Sequence, residues 1–254
     1  MITVLLNGAC GHMGRVVASI VNNDPDVRIA AGIDLYGSDY ADFPVFKTLS
    51  ECTEPADVII DFSTARAVDE LVAYGVERSI PMVICTTGLS DAQTEAIREA
   101  SSQVAILRSG NMSLGINLLM KLLRDAAKTL CPNGFEPEIV EMHHNRKLDA
   151  PSGTAVMLAD SINGAMNEKY HYTCDRSTRR EKRDPKEIGI SSVRGGTIVG
   201  VHDVMFAGLD EVIELKHTAY SRDIFAKGAV SAAKFLAQKA PGLYTMSDVI
   251  DASM

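Results

Sequence analysis

The stretch Ile2-Thr3-Val4-Leu5-Leu6-Asn7-Gly8-Ala9-Cys10-Gly11-His12-Met13-Gly14 decides the fold class. Its first part is a short apolar run that ends in glycine, which predicts a buried strand. Its second part spaces glycines as G-x-x-G-x-x-G, and Arg15–Val21 follows with helical periodicity. Glycine lets a backbone approach a pyrophosphate closely, and the N-terminus of the next helix offers free N–H groups and a positive dipole end. The spacing departs from the usual dinucleotide fingerprint G-x-G-x-x-G, but strand, glycines and helix stand in the order that fingerprint requires. Asp34 lies 20 residues beyond Gly14, where the second predicted strand, Arg28–Ile33, closes. An acid at that place accepts hydrogen bonds from the ribose hydroxyls of a bound dinucleotide. An ordinary tight strand–helix turn is the competing reading of the glycines.

The rhythm continues through the first half. Val58–Ile60, Met82–Ile84 and Val104–Leu107 predict further short apolar strands. Between them, Ala65–Tyr74 reads as a helix stopped by Gly75, and Asp91–Ala100 as an amphipathic helix with Ser90 as N-cap. Short apolar strands alternating with helices imply a parallel sheet covered on both faces. Thr86-Thr87-Gly88 ends the fourth strand and Ser109-Gly110-Asn111-Met112 follows the fifth. Both segments then fall at the carboxyl edge, where ligands bind, although capping and turn chemistry explains them equally well. Leu35 follows Asp34, and no Lys or Arg lies within several residues of it. A 2′-phosphate would want a cation there, so NADH is the expected cofactor, with NADPH at most tolerated.

The second half changes character near residues 110–115. Ser113–Leu130 predicts a long helix stopped at Cys131-Pro132-Asn133-Gly134, Glu138–Met142 a strand, and Ser152–Met166 a helix. Ile188–Arg194, Ile198–Phe206 and Glu211–His217 read as consecutive strands joined by hairpins at Gly195-Gly196 and Gly208. That implies a mixed or antiparallel sheet. A closing helix, Ser221–Lys239, precedes Pro241-Gly242 and a short tail, and it could belong to either half.

At 254 residues, with about 150 per typical domain, the chain has room for one large domain or two modest ones. Hydrophobic residues make up 46% and charged residues 23%, ordinary values for a globular chain with a real core. Subtracting 33 Asp and Glu from 25 Lys and Arg gives −8, a poor balance for binding nucleic acid or an anionic membrane. An anionic substrate must therefore meet locally gathered positive charge. No apolar run is long enough to cross a membrane, and no signal-type leader opens the chain. The five dispersed cysteines form no C-x-x-C pair and suit a reducing, cytoplasmic setting. The arginines and lysines of residues 176–186 read as a solvated connecting loop.

Glu141-Met142-His143-His144-Asn145-Arg146-Lys147-Leu148-Asp149-Ala150-Pro151-Ser152-Gly153-Thr154-Ala155 carries the chemistry. Two histidines, an arginine and a lysine follow an apolar strand within five residues. Ser152, Gly153 and Thr154 then open a helix, where N–H groups and hydroxyls hold a carboxylate. Lys147 and the histidines add donors suited to proton transfer. An anion site with a built-in acid is the reading preferred over a plain helix cap or structural histidines. A metal site built from Glu141, His143, His144 and Asp149 finds no H-x-x-x-H or H-x-x-E-H pattern to support it.

This stretch resembles the signature E-x-x-H-H-x-x-K-x-D-A-P-S-G-T-A of the 4-hydroxy-tetrahydrodipicolinate reductase (dihydrodipicolinate reductase) family. The glycine loop, the Thr-Thr-Gly strand end, Ser109–Asn117 and Arg194–His202 match in order, so the resemblance covers essentially the whole chain. It implies reduction of a cyclic unsaturated dicarboxylate on the diaminopimelate route to lysine, with hydride from a nicotinamide. By the same resemblance His143 is the proton donor or acceptor at the substrate ring and Lys147 a second proton donor, and His144, Gly153 and Thr154, beside Ser152, hold the substrate carboxylates. Gly8, Ala9, Cys10, Gly11, His12, Met13, Asp34, Cys85, Thr86, Thr87, Ser109, Gly110, Asn111 and Met112 line the cofactor. Residues 1–112 and 219–254 form a Rossmann-like dinucleotide domain, rejoined by the final helix. Residues 113–218 form an α+β domain for substrate binding and homotetramer assembly. His12 stands where the family usually has arginine, and Leu35 where it has a basic residue, which agrees with the NADH preference. Cys85 and Met112 replace the usual glycine and phenylalanine. Two other functions fit the same plan: a dinucleotide sensor without turnover, which would not need His143, Lys147 and Thr154 together, and a reductase of a different cyclic imine.

Overall fold

Ile2–Leu6 is apolar because its strand is covered on both sides. In the computed structural model, which describes residues 1–37, 41–167 and 169–252, β1 (Ile2–Asn7) lies inside a seven-stranded sheet. It is followed by α1 (His12–Val21), β2 (Val27–Ile33), β3 (Val45–Phe46), β4 (Val58–Asp61) and α2 (Val68–Arg78). Then come β5 (Met82–Ile84), α3 (Asp91–Ala100) and β6 (Ala105–Arg108). The strand order is β12-β6-β5-β4-β1-β2-β3, all parallel, with β12 (Gly242–Tyr244) arriving from the end of the chain. Alternate side chains go to opposite faces. Val4, Leu6, Ile60 and Leu107 pack on one side with Val17 of α1, and Leu5, Ile59, Met82 and Ile106 on the other with Leu71 of α2 and Ile97 of α3.

The chain divides into two compact units, Met1–Leu114 together with Asp223 onward, and Gly115–Arg222. The second unit interrupts the first in sequence. The closing helix α6 (Asp223–Leu236) belongs to the first unit, where Ala226, Ala229 and Ala233 pack beside β1 and β4 residues. Its small residues permit close approach: a Cβ on Gly228 would overlap the carbonyl of Met112. Lys234 also reaches Asp24, 2.7 Å away, beyond the end of α1.

Two expectations for this unit change. Gly75 does not stop its helix; α2 runs through it to Arg78 and ends at Ser79, in the left-handed region at φ 54°. Gly75 instead faces the sheet, where a Cβ would overlap the Met82 thioether. The presumed tail is also ordered, as β12 and α7 (Met246–Ala252), because Met246 and Val249 complete the apolar cluster under α6.

The second unit holds α4 (Leu114–Leu130) from its second residue on, then β7 (Glu136–His143), α5 (Gly153–Ala165), β8 (His171–Thr173), β9 (Glu187–Arg194), β10 (Gly200–Ala207) and β11 (Val212–Ala219). Its sheet is mixed, in the order β11-β10-β7-β9-β8. Ile139, Ile190, Val204 and Phe206 face Leu123 of α4 and Leu158 and Ile162 of α5. The hairpin at Gly208 forms, joining β10 and β11 antiparallel. The hairpin expected at Gly195-Gly196 does not: β9 and β10 are both paired to β7, which lies between them. A central β7 explains this, because the polar groups at its end draw partners from both neighbours.

The basic segment 176–186 is not simply solvated. Arg176 and Arg183 bind Glu138 on β7, and Arg176 and Arg179 bind Glu187 on β9. Glu187 is fully buried, and the arginines compensate that buried charge.

Candidate active site

At the carboxyl edge of the first sheet, strand order reverses between β1 and β4, the place where such sheets bind ligands. Gly8 sits there at φ +79°, and a Cβ on it would lie 2.6 Å from the Phe62 carbonyl oxygen. A Cβ on Gly14 would overlap the Gly8 carbonyl. Both glycines are therefore required by the tight path from β1 into α1, and no side chain caps that helix. Asp34 lies beside the loop: Oδ2 accepts the Cys10 N–H at 2.9 Å, and Oδ1 the Tyr36 N–H at 3.1 Å. Leu35 and Tyr36 stand exposed after it. Arg15, the residue after Gly14, donates from Nε to the Cys10 carbonyl at 3.0 Å, so a cation stands at the loop although none lies near Asp34 in sequence.

Beside β1 the structure adds a residue that no sequence motif singles out. Asp61 is fully buried and accepts Asn7 Nδ2 at 2.9 Å, Thr86 Oγ1 at 2.7 Å and the Ser63 N–H at 3.1 Å. Burial pushes its carboxyl up, against the hydrogen bonds from Ser63, Thr86 and Asn7. The Thr86 hydroxyl thus ties β5 to β4, while Thr87 is exposed at the edge. Cys85 and Met112 point into the core, and burial drives the Cys85 thiol well above its ordinary value. Ser109 and Asn111 knot their own turn: Ser109 Oγ donates to the Asn111 carbonyl at 2.8 Å, and Asn111 Oδ1 accepts the Ser113 N–H at 2.9 Å.

In the second unit the alternation along β7 puts Glu141 and His143 on its helix-covered face. His143 Nδ1 lies 2.7 Å from Glu141 Oε2. Arg194, at the end of β9, donates Nη1 to Oε2 at 2.7 Å and Nη2 to Oε1 at 2.6 Å. The Ser152 N–H reaches Oε1 at 3.0 Å. Burial alone would raise the Glu141 pKa, but hydrogen bonds from Arg194 and His143 bring it down to about 2. The Ser152 hydroxyl caps α5 by accepting the Ala155 N–H at 3.1 Å and meets His202 Nε2 at 3.1 Å. His202 packs edge-on to His143 with ring centroids 5.2 Å apart. Burial, with His143 close by, lowers His202 to about 4, so it is neutral at pH 7.

Lys147 lies in the following turn, its Nζ 2.8 Å from Asp149 Oδ1. That contact, aided by the Gly153 backbone at the start of α5, lowers the Asp149 pKa. His144 faces away from Glu141. Its pKa is lowered by desolvation and then by Arg146, Arg222, His143 and Lys147, a cationic surrounding suited to an anion. The structure places His143 at the end of β7, His144 and Lys147 in the turn after it, and Ser152, Gly153 and Thr154 at the start of α5. It adds Glu141, Arg194 and His202. Glu141 could have been found from the period of two that sets it on the same face as His143, whereas Arg194 and His202 arrive only through strand pairing. Among the described residues, no group of three or more His, Cys, Asp or Glu could hold a metal ion.

Known proteins resemble this chain along almost its whole length. Family models described as dihydrodipicolinate reductase, N-terminus and C-terminus, match residues 2–112 and 115–250. A 4-hydroxy-tetrahydrodipicolinate reductase of Caldanaerobacter subterraneus subsp. tengcongensis is 52% identical over 250 residues, covering 98% of each chain. One from Clostridium novyi is 45% identical over the same share of both chains. A dipicolinate-bound dihydrodipicolinate reductase structure from Paenisporosarcina sp. TG-14 superposes with a TM-score of 0.81 at 26% identity, covering 96% of this chain and 97% of that one. With both halves matched and relatives aligned from end to end, the chain belongs to the dihydrodipicolinate reductase family.

Proposed function

We propose that the chain reduces 4-hydroxy-tetrahydrodipicolinate, or the dihydrodipicolinate formed from it, to tetrahydrodipicolinate on the diaminopimelate route to lysine. The observation that carries this reading is the buried Arg194–Glu141–His143 array beside the start of α5, an acid placed next to a carboxylate cradle. The glycine path at Gly8 and Gly14, closed to any Cβ, fits a dinucleotide phosphate. NADH or NADPH supplies the hydride. Hydride addition to a conjugated imine leaves negative charge on the ring, which a positioned acid must neutralise. His143 delivers that proton, Lys147 is the second donor, and the Gly153 and Thr154 N–H groups with His144 hold the carboxylates. Loss of reduced-nicotinamide absorbance with aspartate semialdehyde, pyruvate and the preceding synthase tests the reading; no loss at micromolar enzyme would overturn it.

NADH is the preferred cofactor in this proposal, since Asp34 and the exposed Leu35 suit ribose hydroxyls better than a 2′-phosphate. The expected result is a higher kcat/KM with NADH, and a clearly better value with NADPH would assign Arg15 to the phosphate instead. A homotetramer is proposed as well. The second sheet leaves Val140, Met142, Val201 and Met205 half-buried and Val193 43% exposed on the face away from α4 and α5. A cytoplasmic setting suits the five free thiols, and no helix among the described residues is long and apolar enough to cross a membrane.

A further inference from the structure

Glu141 accepts four donors on two oxygens. Oε2 takes His143 Nδ1 and Arg194 Nη1; Oε1 takes Arg194 Nη2 and the Ser152 N–H. An ionised carboxylate has no proton to give, so in the contact with His143 the imidazole must be the donor. Arg194 is itself fixed, because Nη2 also donates to the Asp149 carbonyl at 2.6 Å and Nη1 to the Val193 carbonyl at 2.8 Å. The other ring nitrogen lies beside Gly200: a Cβ built there would sit 3.2 Å from His143 Nε2, so glycine keeps a side chain off that nitrogen from this position.

We infer that Glu141 is the positioning residue of this site. It keeps the Nδ1 proton on His143, leaves Nε2 as the nitrogen that gives and regains a proton, and ties the ring to the start of α5 through Ser152. The donor and the carboxylate cradle then move as one unit, which an acid and an anion site on separate loops would not do. The charge around the ring is also accounted for. Arg194 on β9 neutralises Glu141, His202 on β10 is neutral, Lys147 supplies positive charge from the turn after β7, and the cations around His144 hold its own pKa down. An amide at position 141 could not replace the carboxylate, since its NH2 would face two donors whichever way it turned.

The inference rests on reading His143 as the proton donor, and the test separates the two. In full-length protein labelled with 15N-histidine, the neutral His143 ring should show its proton on Nδ1, its signals being assigned by their loss in His143→Ala. A neutral ring protonated on Nε2 would overturn the inference without any variant of Glu141. Glu141→Gln should shift the ring toward the Nε2-protonated form and lower kcat roughly tenfold or more, with dinucleotide affinity unchanged. Wild-type tautomer and wild-type kcat in that variant would also overturn it. Should His143→Ala retain turnover, the donor assignment fails instead, and the tautomer of the wild-type ring still decides the role of Glu141.

Discussion

His143→Ala and Lys147→Ala are each expected to lower kcat by roughly 10²–10⁴, the scale of lost general acid catalysis. The two should differ in KM. His143 is 9% exposed and locked onto Glu141, so its ring is placed for proton transfer and contributes little free charge to binding. Lys147 carries a full positive charge in a turn where Asp149 is already an anionic partner, so its loss should raise the substrate KM as well. Steady-state kinetics with saturating NADH check both, and NADH affinity serves as the control because its proposed site is in the other unit. Turnover within a few-fold of wild type in both variants would remove them from the mechanism. His144→Ala, by contrast, should act mainly on KM.

The first unit was legible because its determinants are local. A strand covered on both faces must be apolar throughout, a tight turn into a helix must carry glycine, and Ser90 with Gln93 three residues on forms a capping box, as the structure shows. Gly75 misled for a physical reason. Glycine ends helices through its backbone freedom, yet it also occurs where a neighbouring side chain leaves no space for a Cβ, and only the Met82 contact separates the two. The order of the second sheet was not legible. Gly195-Gly196 looks like a hairpin turn whether its strands pair with each other or with a third strand between them. The buried ends of β7 choose the second arrangement, since Glu141 pairs with Arg194 on one side and His143 packs on His202 on the other. For the same reason the block from His143 to Thr154 suggests an acid and a carboxylate cradle but carries no sign of the Arg194 and His202 contacts beside them. A contact between residues 53 positions apart leaves no mark in either local pattern.

Acid is expected to unfold the second unit before the first. Glu187 and Glu141 are fully buried there. Burial would raise the Glu187 pKa, but Arg179 and Arg176 bring it down to about 2, as Arg194 and His143 do for Glu141. An unfolded glutamate titrates near 4.5. A carboxyl depressed on folding stabilises the native state above its unfolded pKa, and that stability is lost as pH falls through the folded value. The window therefore runs from about pH 5 to about pH 2, and each group contributes up to about 3 kcal/mol that disappears across it. Protonated Glu187 would also leave Arg176 and Arg179 facing an uncharged partner, while His171, 3.8 Å away, adds further positive charge if protonated. Asp61 in the first unit has the opposite sign. Its raised carboxyl weakens the native state once ionised, so falling pH relieves rather than strains that sheet. Hydrogen exchange at stepwise lower pH should show β9 and β7 amides losing protection while β1 and β4 retain theirs. Glu187→Gln should weaken the protein at pH 7 and flatten the dependence of its denaturant midpoint between pH 6 and pH 3. A wild-type slope in that variant, or earlier loss of protection in β1, would refute the assignment of acid lability to these buried glutamates.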